Sequence, residues 1–239
     1  MGETMKKSIK TGALLVAGVF ALSGCGSSGA ADSAPEGSAS PSPTPTLAVG
    51  QDQYTPDELE AVLQAVKADK GLTGDVENNA ALQPQLSSLS DITATPALCV
   101  SLLSSMFDKS LADGNLAALA MGGTDLLILA SYEDSSLLDE QAETGAQLAT
   151  DCAEFQLERG GVALTGAVEA LEAASEAPAT QAYRATITRA DGQSETVLVR
   201  ALSGTTSLSV TIFDPTDTSA AVASAEETIN AALAELEKK

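Results

Sequence analysis

The stretch AYRATITRADGQSETVLVRAL, residues 182–202, decides the fold class of this chain. It contains two runs rich in β-branched and aliphatic residues, one on each side of Asp191-Gly192. A pair of this kind between two such runs is typical of a β-hairpin turn. A register with Ala190 opposite Ser194 would gather the apolar side chains of both strands on one face. The stretch therefore predicts an antiparallel hairpin with a loop longer than two residues.

The same register makes a prediction about two arginines of the hairpin. Arg184 and Arg200 would lie directly opposite each other, on the face of the sheet away from Ile187. Like charges in facing positions destabilise a strand pair unless carboxylates or an anion lie between them. Two interpretations remain open: the arginines pair with Glu side chains of a neighbouring element, or they bind an anionic ligand.

The other elements follow from the periodicity on either side of this hairpin. Strand-like runs occur at residues 162–171 and 207–213, and an earlier hairpin is expected around Gly122-Gly123. The predicted helices begin at Pro56, at Pro96, at Ser135 (continuing to Arg159) and after Pro215, with mostly loop at residues 72–94. This order predicts an α+β fold, a mostly antiparallel β-sheet packed by helices.

The first of these helices has a well-marked beginning and inner face. Thr55 and Glu58 have the spacing of a capping box, and Pro56 stands at the first helical position. The apolar stripe that follows, which stops at Gly71, consists of Leu59, Val62, Leu63 and Val66. This pattern predicts an amphipathic helix with one buried side.

The N-terminus has the pattern of an export signal. Lysines precede an apolar run at residues 12–21, and LSGC follows at residues 22–25. The run is too short to span a bilayer as a mature helix, so residues 1–24 are predicted to be a cleaved signal peptide. LSGC has the form of a lipobox, in which Cys25 receives a diacylglyceryl group; the alternative is an ordinary signal with a chance cysteine. We expect palmitate-type chains on Cys25 to anchor the protein at the cell membrane, on its extracytoplasmic face.

The composition after the signal separates a linker from a domain. Residues 25–53 are mostly Ser, Ala, Gly and Pro, with SASPSPTPT at residues 38–46. Such a segment cannot bury enough apolar surface to offset its ordering entropy, so a disordered tether is expected. The remaining residues, 54–239, have the length of one domain with a single core.

Cysteine usage agrees with export. The chain has three cysteines, and lipidation would occupy Cys25. Cys99 and Cys152 then remain as a natural disulfide pair outside the cytosol. Two free buried thiols are the alternative.

Charge and the absence of histidine exclude several functions. The chain has 12 Lys and Arg and 33 Asp and Glu, so its net charge is −21. A protein with this charge repels nucleic acid. Without histidine there is no Ser-His-Asp triad and no histidine metal site, and no glycine-rich phosphate loop is present. The acidic clusters are interpreted as solvated helix faces. We therefore expect a non-catalytic protein with no metal and no cofactor.

Three short motifs of the domain occur in an order that resembles one family. PALC at residues 96–99, YEDS at 132–135 and TDCAEF at 150–155, followed by strands and a C-terminal helix, resemble the PknH-like extracellular sensor domain. Such domains occur on actinobacterial receptor kinases and in free-standing lipoproteins. The resemblance implies a single α+β domain with a ligand-binding cleft. Family members commonly carry two disulfides, whereas this sequence offers only the pair Cys99 and Cys152.

The leading hypothesis is a membrane-anchored extracytoplasmic lipoprotein with a non-catalytic PknH-like sensor or ligand-binding domain. Its expected partners are the membrane, through the lipid on Cys25, and a small molecule; a protein partner for signalling is not identified by the sequence. The alternative is a lipid or glycolipid carrier, which would need a deep pocket lined by Leu, Val and Ile. A shallow polar cleft that includes Arg184 or Arg200 would favour the sensor. A structural envelope protein without a small ligand is a third class.

Overall fold

The structure, a computed structural model, describes residues 48–86, 92–100, 113–159 and 161–239. In this part of the chain, nine strands form one sheet in which every neighbouring pair is antiparallel. The strands are β1 (Val76–Asn78), β2 (Ile92–Thr95), β3 (Asn115–Gly122), β4 (Asp125–Ser131), β5 (Phe155–Arg159), β6 (Val162–Leu171), β7 (Ala179–Arg189), β8 (Gly192–Ser203) and β9 (Thr206–Phe213). Across the sheet their order is β1-β3-β4-β9-β8-β7-β6-β5-β2.

Helices cover both faces of this sheet. They are α1 (Pro56–Lys70), α2 (Asn79–Leu86), α3 (Ser136–Asp151) and α4 (Thr218–Leu236), and Ala97–Cys99 forms a short 3-10 turn. The predicted α+β class, an antiparallel sheet packed by helices, is confirmed. None of the described helices is both long and apolar enough to cross a lipid bilayer.

The beginning of α1 confirms the predicted cap. The Thr55 hydroxyl accepts a hydrogen bond from the Glu58 backbone N–H, and Glu58 Oε2 accepts one from the Thr55 backbone N–H at 2.8 Å. The Glu58 carboxylate accepts from both the Thr55 backbone N–H and the Thr55 hydroxyl, and because these two bonds favour its ionised form, the pKa of Glu58 falls below its ordinary value. The helix ends at Gly71, which has a φ of 65° and therefore suits a residue without a Cβ. The predicted stripe of four apolar residues is fully buried.

One face of the sheet, here called the α1/α4 face, carries the largest core cluster. Val197, Val199 and Ala201 of β8 project into it and meet the buried stripes of α1 and α4. The cap of α4 is the Asp217 carboxylate, which accepts from the Ala220 N–H at 2.9 Å. Burial of a large aliphatic side chain contributes about 1.5–3 kcal/mol, so this cluster is the main source of stability.

The opposite face, here called the α3 face, is covered by α3 and the 3-10 turn. Leu138 of α3 packs with Leu202 of β8, and Leu148 packs with Tyr183 of β7. The Tyr183 hydroxyl donates to the Gly145 carbonyl of α3 at 2.6 Å, which fixes the helix over the sheet. The two faces together make β8 a strand that is buried on both sides over much of its length.

The packed part of the chain begins before Tyr54, the predicted start of the domain. Val49 is buried in the core, and its carbonyl accepts a hydrogen bond from the Ser203 hydroxyl at 2.8 Å. The Gly50 carbonyl accepts one from the Thr205 N–H at 2.9 Å. Residues 48–53 therefore belong to the folded domain rather than to the linker. The predicted signal peptide, Cys25 and the rest of the predicted tether lie outside the described residues.

Two predicted elements are wrong. Residues 72–94 were expected to be mostly loop, but they contain β1, α2 and the beginning of β2. These strands are too short to show a period of their own and form by pairing with β3 and β5. The third predicted helix ends at Asp151 instead of Arg159, because Phe155 and Leu157 are buried while Gln156 and Glu158 are exposed, a period of two that makes β5. The helix predicted from Pro96 begins as the 3-10 turn, and its expected continuation over residues 101–112 lies outside the described residues.

The predicted hairpin between β7 and β8 is confirmed, but its register is wrong. Arg189 pairs with Gly192, so the turn contains two residues, and Ile187 lies opposite Ser194. The prediction assumed that only one face of these strands is buried. Because Val197 and Leu198, which point to opposite faces, are both buried, the apolar pattern alone does not select a register.

Candidate functional site

The α1/α4 face changes from apolar to polar along the length of β7 and β8. On β8, Val199 and Val197 lie under the helices, whereas Glu195 and Gln193, with the same alternation, lie beyond them. The boundary is the beginning of α4, where the Thr218 hydroxyl donates to Glu195 Oε1 at 3.1 Å. On β7 and β8, the side chains of this face past that point have none of the described helices above them and are polar.

A cleft of about 710 Å³ lies on this uncovered part of the face. Its walls come from the outer strands of the sheet and consist of Thr95, Glu154, Phe155, Gln156, Thr165, Gly166, Ala167, Thr186, Thr188 and Gln193. Hydroxyl and amide side chains predominate, and no Leu, Val or Ile is among them. The cleft therefore offers hydroxyl and amide groups beside the apolar surface of its threonine methyl groups, Ala167 and Phe155.

The register of the sheet arranges five of these polar residues in one row. Thr95 lies opposite Gln156, Gln156 opposite Thr165, Thr165 opposite Thr188, and Thr188 opposite Gln193. Directly opposite residues in an antiparallel sheet share a face, so the five side chains stand side by side across β2, β5, β6, β7 and β8. This set is called the Thr/Gln row below. Within it, Gln193 Nε2 donates to Thr188 Oγ1 at 3.1 Å.

Carboxylates border the row. Glu158 lies in the neighbouring row, opposite Ala163, and Glu195 lies in the row on the other side, opposite Thr186. Glu154 lines the cleft directly. Because several carboxylates stand around one small volume, the local potential of the cleft is negative.

On β6, the side chains next to the Thr/Gln row are small. Ala163 and Ala167 stand on either side of Thr165 on the same face, and small side chains leave room above the strand. Gly166 lies between them and faces the other side, where a Cβ would meet the ring of Phe155 at 2.1 Å. Glycine at this position lets Phe155 pack beneath the cleft and support its floor.

A disulfide fixes the outer wall of the cleft. Cys99 and Cys152 are bonded, with their Cα atoms 5.6 Å apart and a separation of 53 positions in sequence. Cys99 follows Thr95 at the end of β2, and Cys152 precedes Glu154 and β5. The bond therefore holds together the two chain segments that supply the outer end of the Thr/Gln row. The predicted pairing of these two cysteines is present in the structure.

Arg184 and Arg200 are not brought together. Arg184 lies opposite Val197 and Arg200 lies opposite Gln181, positions that point to opposite faces of the sheet. The facing pair on which the predicted anion site depended is therefore wrong, and neither arginine lines the cleft. A ligand-binding role for either arginine alone stays a prediction.

The surroundings of the two arginines differ. Arg184 forms a salt bridge with Glu169, which lies opposite it on β6, as the first interpretation of this residue expected. Arg200 lies below α3, where its Nη1 donates to Gln141 Oε1 at 3.5 Å. Next to it, burial raises the pKa of Tyr183 above its ordinary value, while the positive charge of Arg200 acts in the opposite direction.

The residues of the Thr/Gln row were not singled out from the sequence. One signal was present: on β8, the alternate positions that are valine at 197 and 199 become Glu195 and Gln193 towards the turn. A change of polarity at constant alternation indicates that the cover over a strand ends. Among the described residues, no group of three or more Cys, Asp or Glu is arranged to hold a metal ion.

Comparison with known proteins finds a shared fold without a sequence match. No protein-family model and no curated protein matches this chain. The extracellular domain of PknH from Mycobacterium tuberculosis superposes with a TM-score of 0.53 at 13% identity, over 80% of this chain and 100% of that chain. A putative uncharacterized protein from Mycobacterium smegmatis has a TM-score of 0.45 at 17% identity, over 78% of this chain and 98% of that one. The predicted resemblance to the PknH-like domain is thereby confirmed for the fold.

Proposed function

We propose that this chain is an envelope lipoprotein, anchored through Cys25, whose domain binds a polar ligand in the cleft without catalysing a reaction. The observation that carries this proposal is the Thr/Gln row, an in-register set of hydroxyl and amide side chains across five strands. A surface that packs against none of the described elements and offers donors and acceptors in a cleft has the character of a binding site.

The export part of the proposal draws on three independent features. The lipobox at residues 22–25 supplies the anchor, and a disulfide between Cys99 and Cys152 suits an oxidising compartment. The extracellular domain of PknH has a similar fold, so an extracytoplasmic, sensor-like role agrees with this fold. Signalling would require a separate protein partner that transmits the signal.

A polar ligand is favoured over the lipid of the alternative hypothesis. A lipid carrier needs an enclosed surface of aliphatic side chains, because each methylene gains from leaving water. The cleft is lined instead by threonines, glutamines and Glu154. Its polarity supports a binding or sensor domain, although neither Arg184 nor Arg200 takes part as that hypothesis expected.

The position of the cleft also suits a ligand away from the membrane. Val49, near the N-terminal end of the described domain, bonds to Ser203 at one end of β8. Gln193 of the cleft lies near the other end of that strand, about 33 Å away at the usual rise per residue. If the domain is anchored through its N-terminus, its cleft therefore lies at the end of β8 far from the anchored side.

The absence of histidine supports a non-catalytic role. Acid–base catalysis near neutral pH most often uses histidine, and the chain has none. The cleft lining contains one carboxylate, Glu154, whereas a hydrolase of the two-carboxylate type needs a pair across its substrate. We therefore propose recognition rather than turnover.

Native mass spectrometry of the full chain purified from its own envelope tests both parts of the proposal. We expect the mass of a chain that begins at Cys25 and carries acyl groups, together with a polar small-molecule adduct. Ala167→Trp, which fills the middle of the cleft, should remove the adduct. Ala170→Trp, at an exposed position of β6 that points to the other face, should retain it.

Each part of this proposal has an outcome that contradicts it. A species that retains residues 1–24 and carries no lipid rejects the anchor. A lipid adduct supports the carrier instead, and a polar adduct that survives Ala167→Trp rejects the cleft as the ligand site. Circular dichroism of both variants checks that the added ring has not unfolded the sheet.

A further inference from the structure

We propose that the Thr/Gln row binds a neutral, extended glycan chain, laid across the strands. This inference rests on the proposed function, because it assigns a chemical class to the ligand of the same cleft. It follows from the spacing, the hydrogen-bonding chemistry and the charge of the row.

Spacing is the first argument. Neighbouring strands of a sheet lie about 4.8 Å apart, so a row over five strands extends about 19 Å. Each strand contributes one polar side chain at this interval, from Thr95 at the outer edge to Gln193 on β8. The length of one pyranose unit in an extended chain is close to the strand spacing. Successive sugars can therefore lie over successive strands.

Hydrogen-bonding chemistry is the second argument. A threonine hydroxyl offers one donor and two acceptor lone pairs, and a glutamine offers two donors and an acceptor oxygen. A ligand that pairs with such a row must itself present donors and acceptors at every step. Sugar hydroxyl and acetamido groups do so, whereas phosphates and carboxylates only accept.

The negative charge of the cleft disfavours glycans that carry acidic groups. Glu154 lines the cleft, and Glu158 and Glu195 border it, within a protein of net charge −21. Arg184, which lies on the same face, is engaged by Glu169. Uronic acids and phosphorylated polymers would meet repulsion here, while a neutral chain would not.

The shape of the cleft also favours a chain over a compact molecule. Ala163 and Ala167 leave a low floor on both sides of Thr165, so a ligand can pass over β6 without a barrier. The cleft is bordered by polar groups and not closed by aliphatic walls. An extended, hydrated polymer fits this form better than a buried metabolite.

The test uses the full chain in detergent and isothermal titration calorimetry. The probe is the β-linked hexamer of N-acetylglucosamine, compared with its cationic de-N-acetylated form and with an anionic galacturonate hexamer. We expect binding of the neutral hexamer and at least tenfold weaker binding of the galacturonate. The double variant Thr165→Val/Thr188→Val should bind the neutral hexamer at least tenfold more weakly, since two hydroxyls at the centre of the row are lost.

Thr196→Val is the matched control. Thr196 lies on β8 opposite Ala185 and points to the α3 face, so its replacement should change the affinity less than twofold. Valine keeps the branched shape of threonine and suits a strand, and thermal melts of all variants verify the fold. Equal binding by the double variant and the native chain would overturn the assignment of the row.

Other outcomes separate this inference from the proposed function. Binding of the cationic hexamer alone, weakened by the double variant, overturns the neutral glycan and retains the cleft as a ligand site. If no hexamer binds but native mass spectrometry shows a polar adduct that Ala167→Trp removes, the glycan is again overturned and the cleft stands. If neither hexamer nor adduct binds, both proposals are overturned.

Discussion

The two halves of the α1/α4 face differ although they share strands. In one half, Val197 and Val199 of β8 are fully buried beneath the helices. In the other half, Glu195 of the same strand points the same way and meets only the beginning of α4, at Thr218, and Gln193 lies beyond the described helices. The strand and its alternation are continuous, so the difference comes from where α4 begins. A sheet face can thus serve as core at one end and carry an open polar cleft at the other.

The halves are also stabilised by different interactions. The covered half gains from burial of aliphatic side chains, among them Leu63 of α1 and Leu233 of α4. The uncovered half ends at two short outer strands, β2 and β5, whose chain segments are joined by the Cys99–Cys152 disulfide. We expect a change in one half of the face to affect that half more than the other. Three experiments test this expectation.

Removal of the disulfide should have the largest effect. Replacing both Cys99 and Cys152 by Ala frees a loop of about 53 residues in the unfolded chain. The free energy of unfolding should fall by about 2–4 kcal/mol, as measured by urea denaturation. Hydrogen exchange should show the loss of protection concentrated in β2 and β5, with α4 and β9 least affected.

The native protein under reducing conditions is a control for this prediction. It should lose protection in the same strands, since the same covalent bond is removed without a change of side chain. An equal loss of protection in both halves of the sheet would contradict the proposed division of the face.

Exchanging Val and Thr between the halves should have an intermediate effect. Val199→Thr places a hydroxyl in the covered half without a designed partner, which should cost about 1–3 kcal/mol. Thr188→Val, in the uncovered half of the adjacent strand β7, should change stability by less than about 0.5 kcal/mol. Chemical denaturation of both variants at neutral pH measures the contrast. Similar losses in the two variants would mean that helix cover does not distinguish these positions.

The cap of α1 should give the smallest effect, and one that depends on pH. Thr55→Ala should lower the free energy of unfolding by about 1 kcal/mol at pH 7, because the capping box with Glu58 is lost. The pKa of Glu58 is lowered in the folded protein, so its ionised form stabilises the fold above its ordinary value of 4.5. That contribution is lost as the pH falls through the lowered pKa.

The difference between the native chain and Thr55→Ala should therefore narrow in acid. Denaturation curves at several pH values between neutrality and pH 3 measure it, with Thr188→Val as a control that leaves the cap intact. A constant difference across this range would show that the Glu58 carboxylate does not contribute to the cap.

Much of the fold could be predicted because its signals are local. The cap and buried stripe of α1, the hairpin of β3 and β4 around Gly122-Gly123, and the strands β6 to β9 follow from turn residues and periodicity. The boundary between α3 and β5 could not be predicted in the same way. Cys152 and Phe155 fit the apolar positions of a helix, and only the pairing of β5 with β6 and β2 makes that segment a strand.

For the candidate site, some features followed from the sequence alone, and others were decided only by the tertiary structure. The sequence by itself determined the LSGC motif, the pair of cysteines, the absence of histidine and the polar ends of the strands, because these need only residue identity and spacing. Only the tertiary structure decided the register that separates Arg184 from Arg200 and aligns Thr165 with Thr188. Register and helix cover depend on contacts between residues far apart in the chain, and β8, buried on both faces, gives no pattern that selects them.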